Sequence, residues 1–138
     1  MERSIAVAHA LADETRWRIA ALMTDEALCV CELADVLEMA QSTVSSHLQV
    51  MRKGGLVTVE KEDKWAYYQL SEEVLPVWNA LRALEAEKAD KTLDRDRKKA
   101  IARLALRGRS ECKGPRRSIP PLRTAPQLGT GMRKAQPA

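Results

Sequence analysis

The sequence predicts a mainly α-helical fold carrying one small β-hairpin. Three observations predict it. The stretch CVCELADVLEMAQSTVSSHLQVMRKGG, Cys29 to Gly55, holds two short helical patterns with a tight connection between them. LVTVEKEDKWAYYQL follows at once and alternates as two strands meeting near Glu62 and Asp63. From Ser71 an apolar stripe recurs at helical spacing. A helix-turn-helix followed directly by a hairpin is a winged helix-turn-helix, and the stripe after it supplies a helical dimer interface.

The first helix, about Arg3 to Leu11, is rich in small residues, which suits close packing. Its His9 reads as a packed or exposed side chain, not a ligand. The second helix opens at an N-cap Asp13 and buries Ile19, Leu22 and Met23, with Trp17 in the core. In the third, Leu33, Val36 and Leu37 follow helical spacing. Only Met39 and Ala40 stand between Glu38 and Gln41. Helices joined so tightly cross at a steep angle, as in the DNA-binding unit.

The fourth helix, Ala40 to Lys53, divides cleanly on projection at about 100° per residue. Val44, Leu48 and Met51 fall on one arc, and Ser42, Ser46, Gln49 and Lys53 on the opposite one. Thr43 and Ser45 flank that outer arc, Gln41 begins the helix, and His47 lies nearer the buried seam. Hydroxyls and amides without a carboxylate suit base edges and phosphates in a major groove. The DNA-binding set is therefore Gln41, Ser42, Thr43, Ser45, Ser46, Gln49 and Lys53, with Lys61 and Lys64 from the wing. Gly55 is the natural left-handed residue just past the helix end. On the hairpin, Val57 and Val59 share one face of the first strand, and Trp65, Tyr67 and Gln69 share a face of the second.

Ser71 reads as the next N-cap, with Glu72 and Glu73 in the first turn, where carboxylates favour the helix dipole. Val74, Val77, Trp78, Leu81 and Leu84 form the stripe and are expected to pack across a homodimer. Beyond Glu85 the stripe thins to Leu93, Ile101 and Leu104 among dense charges, and that remainder is expected to fray.

A length of 138 residues predicts one folded unit, residues 1–106, for DNA binding and dimerisation. It carries 15 basic and 18 acidic residues, net −3. Residues 107–138 carry 8 basic and 1 acidic residue, net +7, with 4 of the 6 glycines and 5 of the 6 prolines. That segment reads as a disordered basic tail. The overall charge of +4 thus comes from the tail and gives no independent support to the groove-binding helix. The apolar run Ile5 to Ala12 lacks the positive flank of a signal peptide, because Glu2 offsets Arg3. No apolar segment nears the roughly 18 residues of a membrane span. A cytoplasmic protein with reduced thiols and no membrane partner is expected. An enzyme is disfavoured: there is no nucleophile–base pair, no glycine-rich phosphate loop, and only His9 and His47 as histidines.

Cys29 and Cys31 flank the start of the third helix. Two residues apart on a regular helix, they point about 200° apart. Holding one ion then requires the first turn to unwind, or the site to lie just before the helix. Either arrangement couples an ion to the DNA-reading unit directly. Two soft thiolates select soft or borderline ions and exclude magnesium and calcium.

Together the runs ADETRWRIAALMT, LCVCELADVLEMAQSTVSSHLQVMRKGGLV and KWAYYQLS resemble the ArsR/SmtB family of metal-responsive repressors. The closer likeness is to its arsenical-resistance members, which share the LCVC-E/D-L signature. Three departures stand out: Ala40 where an N-cap Ser or Asp is usual, Asp63 in place of the wing glycine, and Ala34 where enterobacterial relatives have a third cysteine. The resemblance implies a repressor of double-stranded operator DNA, released by trivalent arsenic or antimony on cysteine thiolates. No organic cofactor is implied. Trivalent arsenic favours three sulfurs, and Cys112 in the tail is the one further cysteine. The dimer helix has no histidine, so the zinc site of zinc-sensing relatives is absent. The alternatives on the same fold are a thiol redox sensor and a sensor of thiophilic divalent ions.

Overall fold

The computed structural model describes residues 1–85 and 90–107. The chain opens with α1 (Glu2–Leu11) and α2 (Glu14–Leu22). Asp13 caps α2 as expected, its carboxylate accepting the Arg16 N–H at 2.9 Å. That bond holds the Asp13 carboxyl below the usual carboxylate range. Arg16 turns back to donate through Nε to the Ala10 carbonyl at 2.6 Å, which fixes the corner between the two helices.

Next come β1 (Leu28–Cys29), α3 (Val30–Leu37) and α4 (Gln41–Lys53). Glu38 ends α3 in the left-handed region, φ 57°, and this reverses the chain within three residues. Ala40 stands at the N-cap of α4 with no side-chain cap, so neither Gln41 nor Ser42 replaces the missing serine or aspartate. Ile19, Leu33, Val44, Leu48 and Met51 form the centre of the core, each 0–1% exposed.

Gly54 and Gly55 end α4 in two different ways. Gly54 lies beneath α1: a β-carbon there would sit 2.9 Å from the Ala6 carbonyl oxygen and 3.0 Å from Ala10 Cβ. Gly55 has φ 75°, and the Leu56 N–H reaches back to the Met51 carbonyl at 2.9 Å, the double-bonded helix stop that a left-handed residue permits. A β-carbon on Gly55 meets nothing within 4 Å. Gly55→Ala is therefore expected to cost only the left-handed backbone penalty, about 1–2 kcal/mol in chemical denaturation. No loss at all would mean that α4 ends otherwise in solution.

The wing is β2 (Val57–Glu62) and β3 (Trp65–Leu70), paired from Val57↔Leu70 to Glu62↔Trp65. Asp63 opens the two-residue turn at φ 55°, a conformation Asp tolerates better than most residues. The pattern did not reveal that the sheet has three strands, ordered β1-β3-β2. Leu28 pairs with Tyr68 and Cys29 with Tyr67, so the segment before α3 is an edge strand of the wing. A two-residue strand is too short to show any alternation.

The C-terminal helical stretch needs three corrections. It begins later than expected: α5 (Leu75–Ala83) has Val74 at its N-cap, while buried Ser71 accepts the Val74 N–H through its carbonyl in the preceding turn. Second, the apolar stripe does not act as one surface. Val74 and Trp78 are 3% and 0% exposed and Leu81 packs on the same core, so all three serve their own chain. Trp78 lies against Trp17, ring centroids 4.8 Å apart, and donates Nε1–H to Thr24 Oγ1 at 3.0 Å. Val77 and Leu84, 48% and 78% exposed, lie on the flank of the helix and are the members open to a partner. Third, the polar remainder is helical over most of its described residues. It forms α6 (Lys91–Ala105), capped by Asp90, whose carboxylate accepts from Thr92 N–H at 2.8 Å and Leu93 N–H at 3.1 Å. Charge holds α6 where apolar surface is scarce: Asp96, 1% exposed, takes a two-pronged bond from Arg18 of α2 at 2.7 and 3.0 Å. The basic Gly/Pro-rich segment from residue 108, with Cys112, lies outside the described residues.

Candidate nucleic-acid interface and sulfur site

Burial of Val44, Leu48 and Met51 turns the opposite face of α4 outward. Gln41, Ser42, Thr43, Ser46, Gln49 and Lys53 are exposed there, and Ser45 is half-buried at its edge. Ser46 Oγ donates to the Ser42 carbonyl at 3.0 Å, leaving its oxygen as an acceptor. Arg52, which projection places beside Gln41 on the flank of the helix, is exposed as well. On the wing, Lys61 and Lys64 are exposed, and Lys64 Nζ stands 5.9 Å from the Trp65 ring centroid. His47 is half-buried with Nδ1 3.9 Å from Asp13, on the core side of the helix, as the projection placed it.

The two nearby cysteines meet. Cys29 Sγ and Cys31 Sγ are 3.1 Å apart. The helical 200° separation does not apply, because Cys29 is the N-cap of α3 with extended backbone, φ −90° and ψ 167°, while Cys31 lies inside the first turn. Two thiolates on one ion, each at about 2.3 Å, can be at most about 4.6 Å apart. That spacing puts the two sulfurs within reach of one thiophilic ion without unwinding α3, once Cys31, disulfide-bonded in this structure, is reduced. Among the described residues no group of three or more His, Cys, Asp or Glu side chains has metal-holding geometry. Cys112 is not among the residues described.

The surroundings are apolar on one side and charged on the other. Cys29 and Cys31, 4% and 8% exposed, pack with Ala27 and Tyr67 and with partly buried Trp65. Glu32 Oε2 accepts the Cys29 N–H at 3.0 Å. Burial, then the charge of Glu32, pushes the Cys29 thiol up to about 11, so it holds its proton at neutral pH. Arg107 meets Glu32 with Nε at 2.6 Å and Nη2 at 2.9 Å, and lies 5.3 Å from the Tyr67 ring centroid. The spacing Cys29-x-x-Glu32 is that of a capping box with sulfur in place of hydroxyl, a signal that could have found Glu32. Nothing in the sequence pattern pointed to Arg107.

Residues 13–59 match the family model described as bacterial regulatory protein, arsR family. The arsenical resistance operon repressor of Escherichia coli is 36% identical over 110 residues, 79% of this chain and 88% of that protein. The chain belongs to the ArsR family. Its members are regulators of transcription that act through a DNA-binding helix-turn-helix, and it is not an enzyme. Two solved structures share the ArsR-family fold. The homodimeric winged helix-turn-helix DNA-binding domain, fragment 1–100, from Mycobacterium bovis superposes with TM-score 0.58 at 28% identity, over 62% of this chain and 80% of that one. HlyU from Vibrio cholerae superposes with TM-score 0.55 at 36% identity, over 59% and 90%. Several other curated ArsR-family relatives are spanned over only about half their length, 53–55%. No described helix is long and apolar enough to cross a membrane.

Proposed function

We propose that this ArsR-family protein is a repressor whose homodimer leaves its operator when trivalent arsenic or antimony binds Cys29 and Cys31. One observation carries the reading: the two sulfurs lie 3.1 Å apart at the N-cap of α3, the helix that packs directly on α4. The E. coli relative, named an arsenical resistance operon repressor, supports arsenic over other thiophilic ions. Binding of arsenous acid exchanges two arsenic–hydroxide bonds for two arsenic–sulfur bonds, and each thiol proton leaves with a hydroxide as water. A protonated, buried Cys29 thiol is thus a fitting resting state. Cys112 supplies a third sulfur in this reading.

An ion bound across the pair sets the spacing of Cys29 and Cys31, and through them the first turn of α3. A hundredfold loss of operator affinity needs only about 2.7 kcal/mol of such coupling. The DNA contacts are Gln41, Ser42, Thr43, Ser45, Ser46, Gln49 and Lys53 in the groove, Lys61 and Lys64 on the backbone, and Arg52 added to them. The dimer joins through Val77 and Leu84 of α5 and the exposed Ile5 of α1. Its operator is an inverted repeat with half-site centres about 34–36 Å apart or a multiple of that. A thiol redox sensor would use the same two sulfurs, as would a sensor of divalent soft ions.

Titration with arsenite under full reduction, read by operator anisotropy, tests the proposal against arms containing cadmium(II) or peroxide. Release by peroxide alone would replace it with the redox reading, and release by cadmium(II) alone with the divalent one. For the groove contact, Gln49→Ala is expected to weaken binding by about 1–3 kcal/mol and to relax preference at one base pair. Unchanged affinity and unchanged preference would remove α4 from the groove.

A further inference from the structure

On α3, Glu32, Asp35 and Glu38 follow at three-residue steps and share one face. Along α6 and just past its end, Lys99, Arg103 and Arg107 follow at four-residue steps and meet them in reverse order. The rungs are Lys99–Glu38 at 3.0 Å, Arg103–Asp35 at 2.7 Å and Arg107–Glu32 at 2.6 Å. They are not equivalent. Glu38 and Asp35 are 74% and 59% exposed, so water screens the first two rungs. In the third, Glu32 is 3% and Arg107 10% exposed, and that is the rung beside the sulfurs.

Arg107 does more there than pair with a carboxylate. Its Nη2 also donates to the Ala27 carbonyl at 2.9 Å. Ala27 lies two residues before Cys29, and Glu32 is the residue after Cys31. One guanidinium therefore clamps both ends of the six-residue segment that carries both sulfurs. Glu32 passes the hold inward, since its Oε2 also accepts the Cys29 N–H.

We propose that Arg107 is a positioning residue for the sulfur site, and that α6 is the arm that delivers it. Docked α6 keeps Cys29 and Cys31 converged, and occupancy of the pair in turn tightens α6 on α3. The effect of α6 on effector affinity and the effect of effector on α6 docking are one coupling seen from two ends. The inference rests on the arsenite reading for its effector, but not for the clamp itself.

The test uses the full reduced chain, with Arg107→Gln and Arg107→Lys. Three quantities are measured: arsenite affinity, amide hydrogen exchange over residues 91–107 with and without arsenite, and the rate of iodoacetamide alkylation of Cys29 and Cys31 without any ion. Arg107→Gln is expected to weaken arsenite binding about tenfold and to speed alkylation, with effector-free operator affinity kept. Arg107→Lys recovers part of both, since an ammonium keeps the charge but not the fork. In the unsubstituted protein arsenite slows exchange across α6, and Cys29→Ser removes that slowing. A merely structural arginine would not tie α6 exchange to arsenite. If the unsubstituted protein binds no arsenite, the effector reading fails alone, and the alkylation rates still decide the clamp. Alkylation unchanged in Arg107→Gln overturns the proposal, and so does α6 exchange indifferent to bound arsenite.

Discussion

Cys29→Ser and Cys31→Ser should each leave operator binding near the unsubstituted level and abolish release by arsenite. Serine is a better N-cap than cysteine, so the start of α3 survives at position 29. The Cys29 N–H keeps its bond to Glu32, which does not depend on the side chain. What is lost is one of two sulfurs 3.1 Å apart, and an oxygen does not replace it for a thiophilic ion. The expected change is the whole response, about a hundredfold in operator affinity. Cys112→Ser should be graded, between weaker arsenite binding and no effect. Operator anisotropy against arsenite for the three variants decides it. A Cys29→Ser protein released at unchanged arsenite concentrations would show that the effector binds elsewhere.

Trp78→Ala should strongly destabilise the fold, whereas Leu84→Glu should only separate the subunits. Trp78 is fully buried in a single chain, against Trp17 and Thr24, and its truncation is expected to cost about 3–5 kcal/mol. That is a large part of the 5–15 kcal/mol typical of a whole domain. Leu84 is 78% exposed and touches no core, so a charge there leaves the monomer intact while opposing an apolar contact. Thermal denaturation and sedimentation separate the two outcomes. A Trp78→Ala protein that melts normally but sediments as a monomer would return that tryptophan to the interface.

The helix-turn-helix and wing could be read from the sequence because their signals are periodic. Val44, Leu48 and Met51 recur at helical steps, and the hairpin strands alternate on either side of Asp63. The N-cap of α2 was equally legible, since Asp13 is a strong local signal. Two features escaped for different reasons. Convergence of Cys29 and Cys31 depends on one extended residue, and a projection that assumes a regular helix sends the sulfurs apart. The docking of α6 depends on ion pairs from residues 61 to 78 positions away, and such pairs leave no apolar pattern to follow. The same limit applies to α5, whose stripe faces its own core at Val74 and Trp78 and solvent at Val77 and Leu84.

Cys29 belongs to two elements at once, the last residue of β1 and the cap of α3. Through the helix it connects to α4, and through its rung with Tyr67 it connects to the strand that runs out to the wing tip. From Tyr67 to the turn at Asp63 is four residues, about 13 Å of extended chain. So placed, the hairpin would act as a lever pivoted at the sulfurs. A small rotation at that pivot is magnified where Lys61 and Lys64 stand, while the same motion tilts α3 under α4. If α4 and the wing grip the duplex as proposed, the two grips share one hinge, so loosening one without the other is mechanically difficult.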